Sequence, residues 1–251
     1  MCSVSFLPNN DGFDLAMNRD ERASRIAALP PAYFRHDKLI ALYPTEQGSG
    51  TWVGVNDAGM TFGLINWHSQ PQCDGQETVS RGTVIPALLA AENSEEVEKR
   101  LMDLPLNRMN PFRLILVAFP EQFLQEWQWN RSSLKKTIPP WTRHHWFSSG
   151  LDEIEASRVR RLTCERAAVQ STPGSMAWLR RLHRSHYPKK GPFSICMHRP
   201  DAHTVSYVEI STSRSRSAVT MTYHDGPPCT QGPFVTNLLD LRDMRVSAFF
   251  K

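Results

Sequence analysis

The chain has 251 residues, 40% hydrophobic and 22% charged, with a net charge of +4, values ordinary for a globular protein with one sizeable core. No window approaches the roughly 18 consecutive apolar residues of a membrane span, which argues against stable membrane insertion. The N-terminus lacks the basic flank and long apolar core of a signal peptide, so a cytoplasmic protein is expected.

Five cysteines, at positions 2, 73, 164, 196 and 229, are scattered without a Cys-x-x-Cys pair, which points to neither a zinc site nor a disulfide framework. Cys164 and Cys196 read as small buried hydrophobes. No metal is expected: His144, His145, His183 and His186 do not join a cysteine at zinc spacing.

In chain order, Cys2 to Leu7 alternates polar and apolar residues, Pro8 to Gly12 supplies turn chemistry, and Phe13 to Asn18 resumes a strand, a hairpin pattern. Residues 22–50, broken by Pro30-Pro31 and Gly48-Ser49-Gly50, read as mostly loop. A second hairpin runs through Thr51–Val55, turns at Asn56–Gly59 and returns over Met60–Asn66. Helices follow over 83–92, with Thr83 as N-cap, and from Ser94 as the next N-cap to a stop at Pro105. The apolar run 112–119 predicts a strand buried on both faces, answered by strands over 123–129 and 141–148.

Residues 152–170 carry a helical period, with Ile154, Val159 and Leu162 apolar and many charges between. The arginines at 158, 160, 161 and 166 are balanced by Asp152, Glu153, Glu155 and Glu165. They read as a solvated helix face rather than a nucleic-acid surface. A short helix over 175–184 and strands over 192–198, 204–211 and 217–223 complete the chain. Strand and helix blocks without βαβ alternation predict a layered α+β sandwich, as one domain spanning residues 1–251.

The first hairpin has a chemical consequence. A turn centred on residues 9–11 pairs Leu7 with Phe13 and Cys2 with Asn18, which sets the thiol beside Asn18, Arg19, Asp20 and Glu21. Removal of Met1 would leave Cys2 with a free α-amine and a thiol whose ordinary pKa values, about 7.7–8.0 and about 8.5, allow proton exchange near neutrality. The amine then serves as the nucleophile's own base, and a nearby arginine favours the thiolate. Such a group suits acyl transfer from an amide or thioester.

Met1-Cys2, Asn18-Arg19-Asp20-Glu21, Gly50-Thr51-Trp52-Val53-Gly54-Val55-Asn56, Gly59 and Leu64-Ile65-Asn66 together resemble the NRDE family, the transport-and-Golgi-organisation group. Ile195 to His198 and Thr204 to Ser206 resemble its later strands. The resemblance implies the four-layer αββα sandwich of N-terminal-nucleophile (Ntn) hydrolases, with choloylglycine hydrolases and penicillin V acylase as relatives. It also implies catalytic roles for Cys2 as nucleophile, Asp20 at its amine, Arg19 for charge and Asn66 at the oxyanion. Asn18, His68 and Ser149 are the expected substrate contacts. The expected partner is a small acylated molecule, with no nucleic acid and no cofactor.

Two departures stand out: Arg19 is offset by one position from the acylases' arginine, and serines occupy 148–149 where those relatives place an oxyanion asparagine. Loss of one oxyanion donor lowers turnover by roughly 100–1,000-fold. The alternative is therefore a non-catalytic carrier of haem or lipid, with Cys2 and His68 at the mouth of a cleft and tryptophans behind it; Trp127, Trp129, Trp141 and Trp146 read as core and strand-surface packing rather than a cofactor box.

Overall fold

Two antiparallel sheets stacked face to face, each covered outside by helices, form the fold in a computed structural model that describes residues 2–73, 78–119, 121–232 and 234–242. One sheet has the spatial order β10 (His144–Ser148), β1 (Cys2–Asn9), β2 (Gly12–Arg22), β11 (Ala202–Ser213), β12 (Ala218–Asp225) and β13 (Phe234–Asp240). The other runs β3 (Leu29–His36), β4 (Leu39–Thr45), β5 (Val53–Asn56), β6 (Met60–Asn66), β7 (Phe112–Ala118), β8 (Phe123–Trp129) and β9 (Leu134–Thr137). Helices α1 (Val84–Leu88) and α2 (Ser94–Met102) pack on the second sheet, and α3 (Glu153–Gln170) and α4 (Met176–His183) on the first. The expected αββα sandwich is thus present. No helix among the described residues is long and apolar enough to cross a membrane.

The apolar run in β7 is continuous because both of its faces are covered. Ile115 and Val117 point between the sheets, against Val4, Phe6, Leu15 and Met17. Leu114, Leu116 and Ala118 point outward against Val84, Ile85, Leu88 and Leu101 of the helices. Period-two alternation carries one strand into two cores.

Several expectations need correction. The first hairpin is tighter than the pattern implied. Asn9 pairs with Gly12 across a two-residue turn, so Cys2 lies opposite Arg19 rather than Asn18. Gly12 is required there, since a Cβ would sit 2.5 Å from the Thr212 carbonyl oxygen. Residues 22–50 are not mostly loop: β3 and β4 occupy much of them. Pro30-Pro31 is tolerated because β3 is an edge strand with an irregular register between Leu29 and Ala32.

Asn93, not Ser94, caps α2, its side chain accepting from Glu96 N at 2.9 Å. Thr83 makes no side-chain cap for α1 and instead donates to Ser80 O. Residues 192–198 form turns rather than a strand, their backbone satisfied by Cys196 N to Ser185 O, His198 N to Gly191 O and Met197 N to Thr204 Oγ1. In α3, Ile154 is 82% exposed and Leu162 45%, while Arg160 is fully buried. The inward face is lined by Ala156, Val159, Arg160, Thr163 and Cys164 instead.

Candidate active site

Cys2 begins a central strand, between Ser148 of β10 and Arg19 of β2, and is only 6% exposed. Its N–H donates to Ser148 Oγ at 3.0 Å. Burial pushes the thiol above its ordinary value, and the Asp20 and Glu21 carboxylates add to this. The amino-terminal charge and a hydrogen bond from the Asp20 backbone pull the other way.

Behind Cys2 lies a fully buried ion pair. Arg160 Nη2 donates to Asp20 Oδ2 at 3.3 Å, and Nη1 donates to the Cys2 and Ser148 carbonyls at 3.2 Å each. Thr204 Oγ1 donates to Asp20 Oδ1 at 2.7 Å. Burial raises the Asp20 carboxyl against the pull of Arg160 and Thr204. Arg160 thus ties the Cys2 carbonyl to the Asp20 carboxylate. It is no part of a solvated face, lying on the buried side of α3 with Ala156, Thr163 and Cys164 one turn away.

In front of Cys2 is a cavity of about 150 Å³. Its charged lining consists of Arg19, Arg25 and Arg81 against Glu21 and Glu46, three cations to two anions. Arg19 pairs with Glu46 and, at 3.6 Å, with Glu21, and its guanidinium lies 4.3 Å above the Trp52 ring. Arg25 also pairs with Glu46, at 2.6 Å. Arg81 donates Nη1 to the neutral Pro111 carbonyl at 2.9 Å. Burial lowers the Arg81 guanidinium's pKa, and Glu21 and the Cys2 thiol act against that. Asn66, at the end of β6, lines the same cavity.

The glycine-rich segment before β6 builds this wall. Gly50 lets the backbone pass Gly82, where a Cβ would come within 3.2 Å of its Cα. Trp52 carries Arg19, while Val53 and Val55 enter the core between the sheets. Asn56 Nδ2 closes the end of α1 by donating to Leu89 O and Ala91 O at 3.0 and 2.8 Å, and its Oδ1 accepts from Met60 N.

Cys2, Arg19 and Asn66 therefore meet at one cavity, with Asp20 behind them. The remaining three expected residues lie elsewhere. Asn18 is fully buried on the helix side, donating to His183 O and Ile195 O and bonded through Oδ1 to His183 Nδ1. Ser149 Oγ accepts from Leu151 N, and its neighbour Ser148 is the serine that meets Cys2. The His68 ring packs about 3.5 Å from where a Cβ on Gly150 would stand, outside the cavity lining, and burial drops its pKa to about 4. Arg160, Arg81 and Ser148 were not singled out by the sequence as site residues.

The four tryptophans read as packing residues do pack in the cores. Trp127 and Trp129 belong to the outer core of the second sheet, and Trp141 and Trp146 pack with the core between the sheets. Of the tryptophans, Trp52 lines the cavity.

Two stacked antiparallel sheets between helix layers, with Cys2 opening a strand of the first, define the class, an N-terminal-nucleophile hydrolase fold. Two solved structures share it. Penicillin V acylase from Agrobacterium tumefaciens superposes with a TM-score of 0.55 at 12% identity, over 94% of this chain and 85% of that one. The C2A mutant of the conjugated bile acid hydrolase from Clostridium perfringens gives 0.53 at 8% identity, over 94% and 96%. The chain belongs to the TANGO2 (Transport and Golgi organisation 2) family, whose model matches residues 1–183. No curated protein sequence matches it.

Proposed function

We propose that the protein is a cysteine Ntn amidohydrolase or acyltransferase acting on a small amide that carries a negative charge. The observation that carries this reading is the juxtaposition of Cys2 with Arg81 and Asn66 in one cavity, backed by the buried Asp20–Arg160 pair. Once Met1 is removed, the Cys2 nitrogen now bonded to Ser148 Oγ becomes the α-amine. That amine takes the thiol proton, and Sγ attacks the amide carbonyl. Asn66 donates to the developing oxyanion. The tetrahedral intermediate collapses as the α-ammonium protonates the departing amine, leaving a thioester on Cys2. Water, or an acceptor amine in a transferase, then releases the acyl group and restores the thiol.

The net positive lining sets the substrate's charge. Arg81, hydrogen-bonded to a neutral carbonyl rather than to a carboxylate, suits a substrate carboxylate such as that of an N-acyl amino acid. The small volume favours a short acyl chain.

The test compares matched short acyl amides, one bearing a carboxylate and one neutral, on wild type, Cys2→Ala and Arg81→Gln. Wild type should prefer the charged amide, and Cys2→Ala should be inert. Loss of a charge-assisted contact worth about 1.5–3 kcal/mol should raise KM for the charged amide roughly 10–100-fold in Arg81→Gln and leave the neutral one nearly unchanged. Full turnover by Cys2→Ala would reject the mechanism, and an unchanged preference in Arg81→Gln would reject the substrate charge.

A further inference from the structure

Away from Cys2, on the other side of Thr204, four metal-ligating side chains converge. His186 follows α4, Cys196 and His198 lie in the 192–198 turns, and Cys229 comes from the loop after β12. Their ligand atoms all lie within 4.8 Å of one another. His198 Nε2 is the meeting point: His186 Nε2 is 3.2 Å away, Cys196 Sγ 3.6 Å and Cys229 Sγ 3.5 Å.

Hydrogen bonding does not account for that convergence. A neutral imidazole nitrogen offers either one proton or one lone pair, in the ring plane, so it serves one of three neighbours well. A central ion serves all of them. Zinc bonds of about 2.0–2.1 Å to nitrogen and about 2.3 Å to sulfur, at tetrahedral angles, separate two nitrogens by about 3.3–3.4 Å and nitrogen from sulfur by about 3.5–3.6 Å. The three distances meeting at His198 match those edges to within about 0.2 Å. The backbone holds two of the ligands in place independently, through Cys196 N to Ser185 O and His198 N to Gly191 O.

We propose that His186, Cys196, His198 and Cys229 form a Cys2His2 site for a tetrahedral soft divalent cation, zinc by preference. Four protein ligands fill the coordination sphere, so the ion is structural and leaves no position for substrate. Binding displaces the two thiol protons to solvent, and the two thiolates neutralise the ion's charge. The ion staples the loop carrying Cys229 to the 192–198 turns. Met197, between two ligands, donates its N–H to Thr204 Oγ1, and Thr204 donates to Asp20. The staple therefore braces the carboxylate behind Cys2, but metal binding does not depend on what Cys2 does.

The experiment uses the full chain, purified under reducing conditions, stripped of metal, reloaded with zinc or cobalt(II) and desalted. One zinc per chain is expected. The cobalt form should show the intense visible bands of a tetrahedral ion together with thiolate charge transfer. Second-sphere changes alone weaken metal sites 10–100-fold, so Cys229→Ser and His186→Ala should each lower zinc affinity by roughly 100-fold or more. Cys73→Ser should bind as wild type does. Octahedral cobalt spectra, or substoichiometric zinc in reduced wild-type protein, would overturn the proposal. Equal zinc retention by Cys229→Ser and His186→Ala would also overturn it, as would a Cys196–Cys229 disulfide that persists in reductant. If either variant fails to fold, the wild-type cobalt spectrum alone decides.

Discussion

Replacing Arg160 with methionine keeps most of the side-chain volume but removes one member of a pair in which both partners are 0% exposed. The loss leaves the Asp20 carboxylate buried, with Thr204 donating to one oxygen, and takes a donor from the Cys2 and Ser148 carbonyls. Breaking a buried pair from one side costs about 3–5 kcal/mol. The lost carbonyl contacts overlap with that figure and do not add to it. Because burial already raises the Asp20 carboxyl, protonation of Asp20 in the variant limits the cost to the same range. Urea unfolding should therefore show a lower midpoint, equivalent to about 3–5 kcal/mol, at an unchanged m-value. Arg160→Met combined with Asp20→Asn should recover part of the loss, with a coupling energy of about 1–3 kcal/mol. A loss below about 1 kcal/mol in the single variant, or no coupling in the double, would refute the pair's role.

Acid should weaken the fold through its histidines. Burial holds His145 and His183 near 3 and His68 near 4, against about 6.5 when unfolded. Their neutral form is favoured in the folded state, so this stability is complete above about pH 6.5 and is lost as pH falls, by up to about 1.4 kcal/mol per pH unit for each histidine. Urea midpoints from pH 7 to 5 should drop steadily, and a flat profile would contradict the burial of the pair that shares the Ser5 hydroxyl. Gly12→Ala should destabilise by about 1–3 kcal/mol, because its Cβ meets the Thr212 backbone oxygen at 2.5 Å; a neutral effect on thermal unfolding would show that β11 yields there.

Legibility in the sequence followed how local each signal was. The hairpins and β7 were readable because alternation and continuous apolar runs are local consequences of covered sheet faces. The edge strand β3 was hidden by Pro30-Pro31, which an edge accepts and a central strand would not. β9, with Lys135 and Lys136, and β13, ending the first sheet, lie at sheet edges and are largely exposed, so neither carries a strong inward pattern. Around Cys2, its strand partner Arg19 and the adjacent Asp20 were legible from the first hairpin within one residue of register. Arg160 was not, because it reaches Cys2 across 158 residues of chain from a helix in which Ile154, Leu162 and Val169 face outward. The cluster of His186, Cys196, His198 and Cys229 was illegible for the same reason, since the short Cys196–His198 spacing stands far along the chain from positions 186 and 229.

The central claim is that Cys2, freed of Met1, takes the acyl group. It is tested most directly by rapid acid quench during turnover of a short carboxylate-bearing acyl amide, followed by intact and peptide mass spectrometry. The chain should lack Met1 and carry one added acyl group on the N-terminal peptide, on Cys2, and none should form in Cys2→Ala. An active chain that retains Met1, or an acyl group mapped to any other residue, would contradict it.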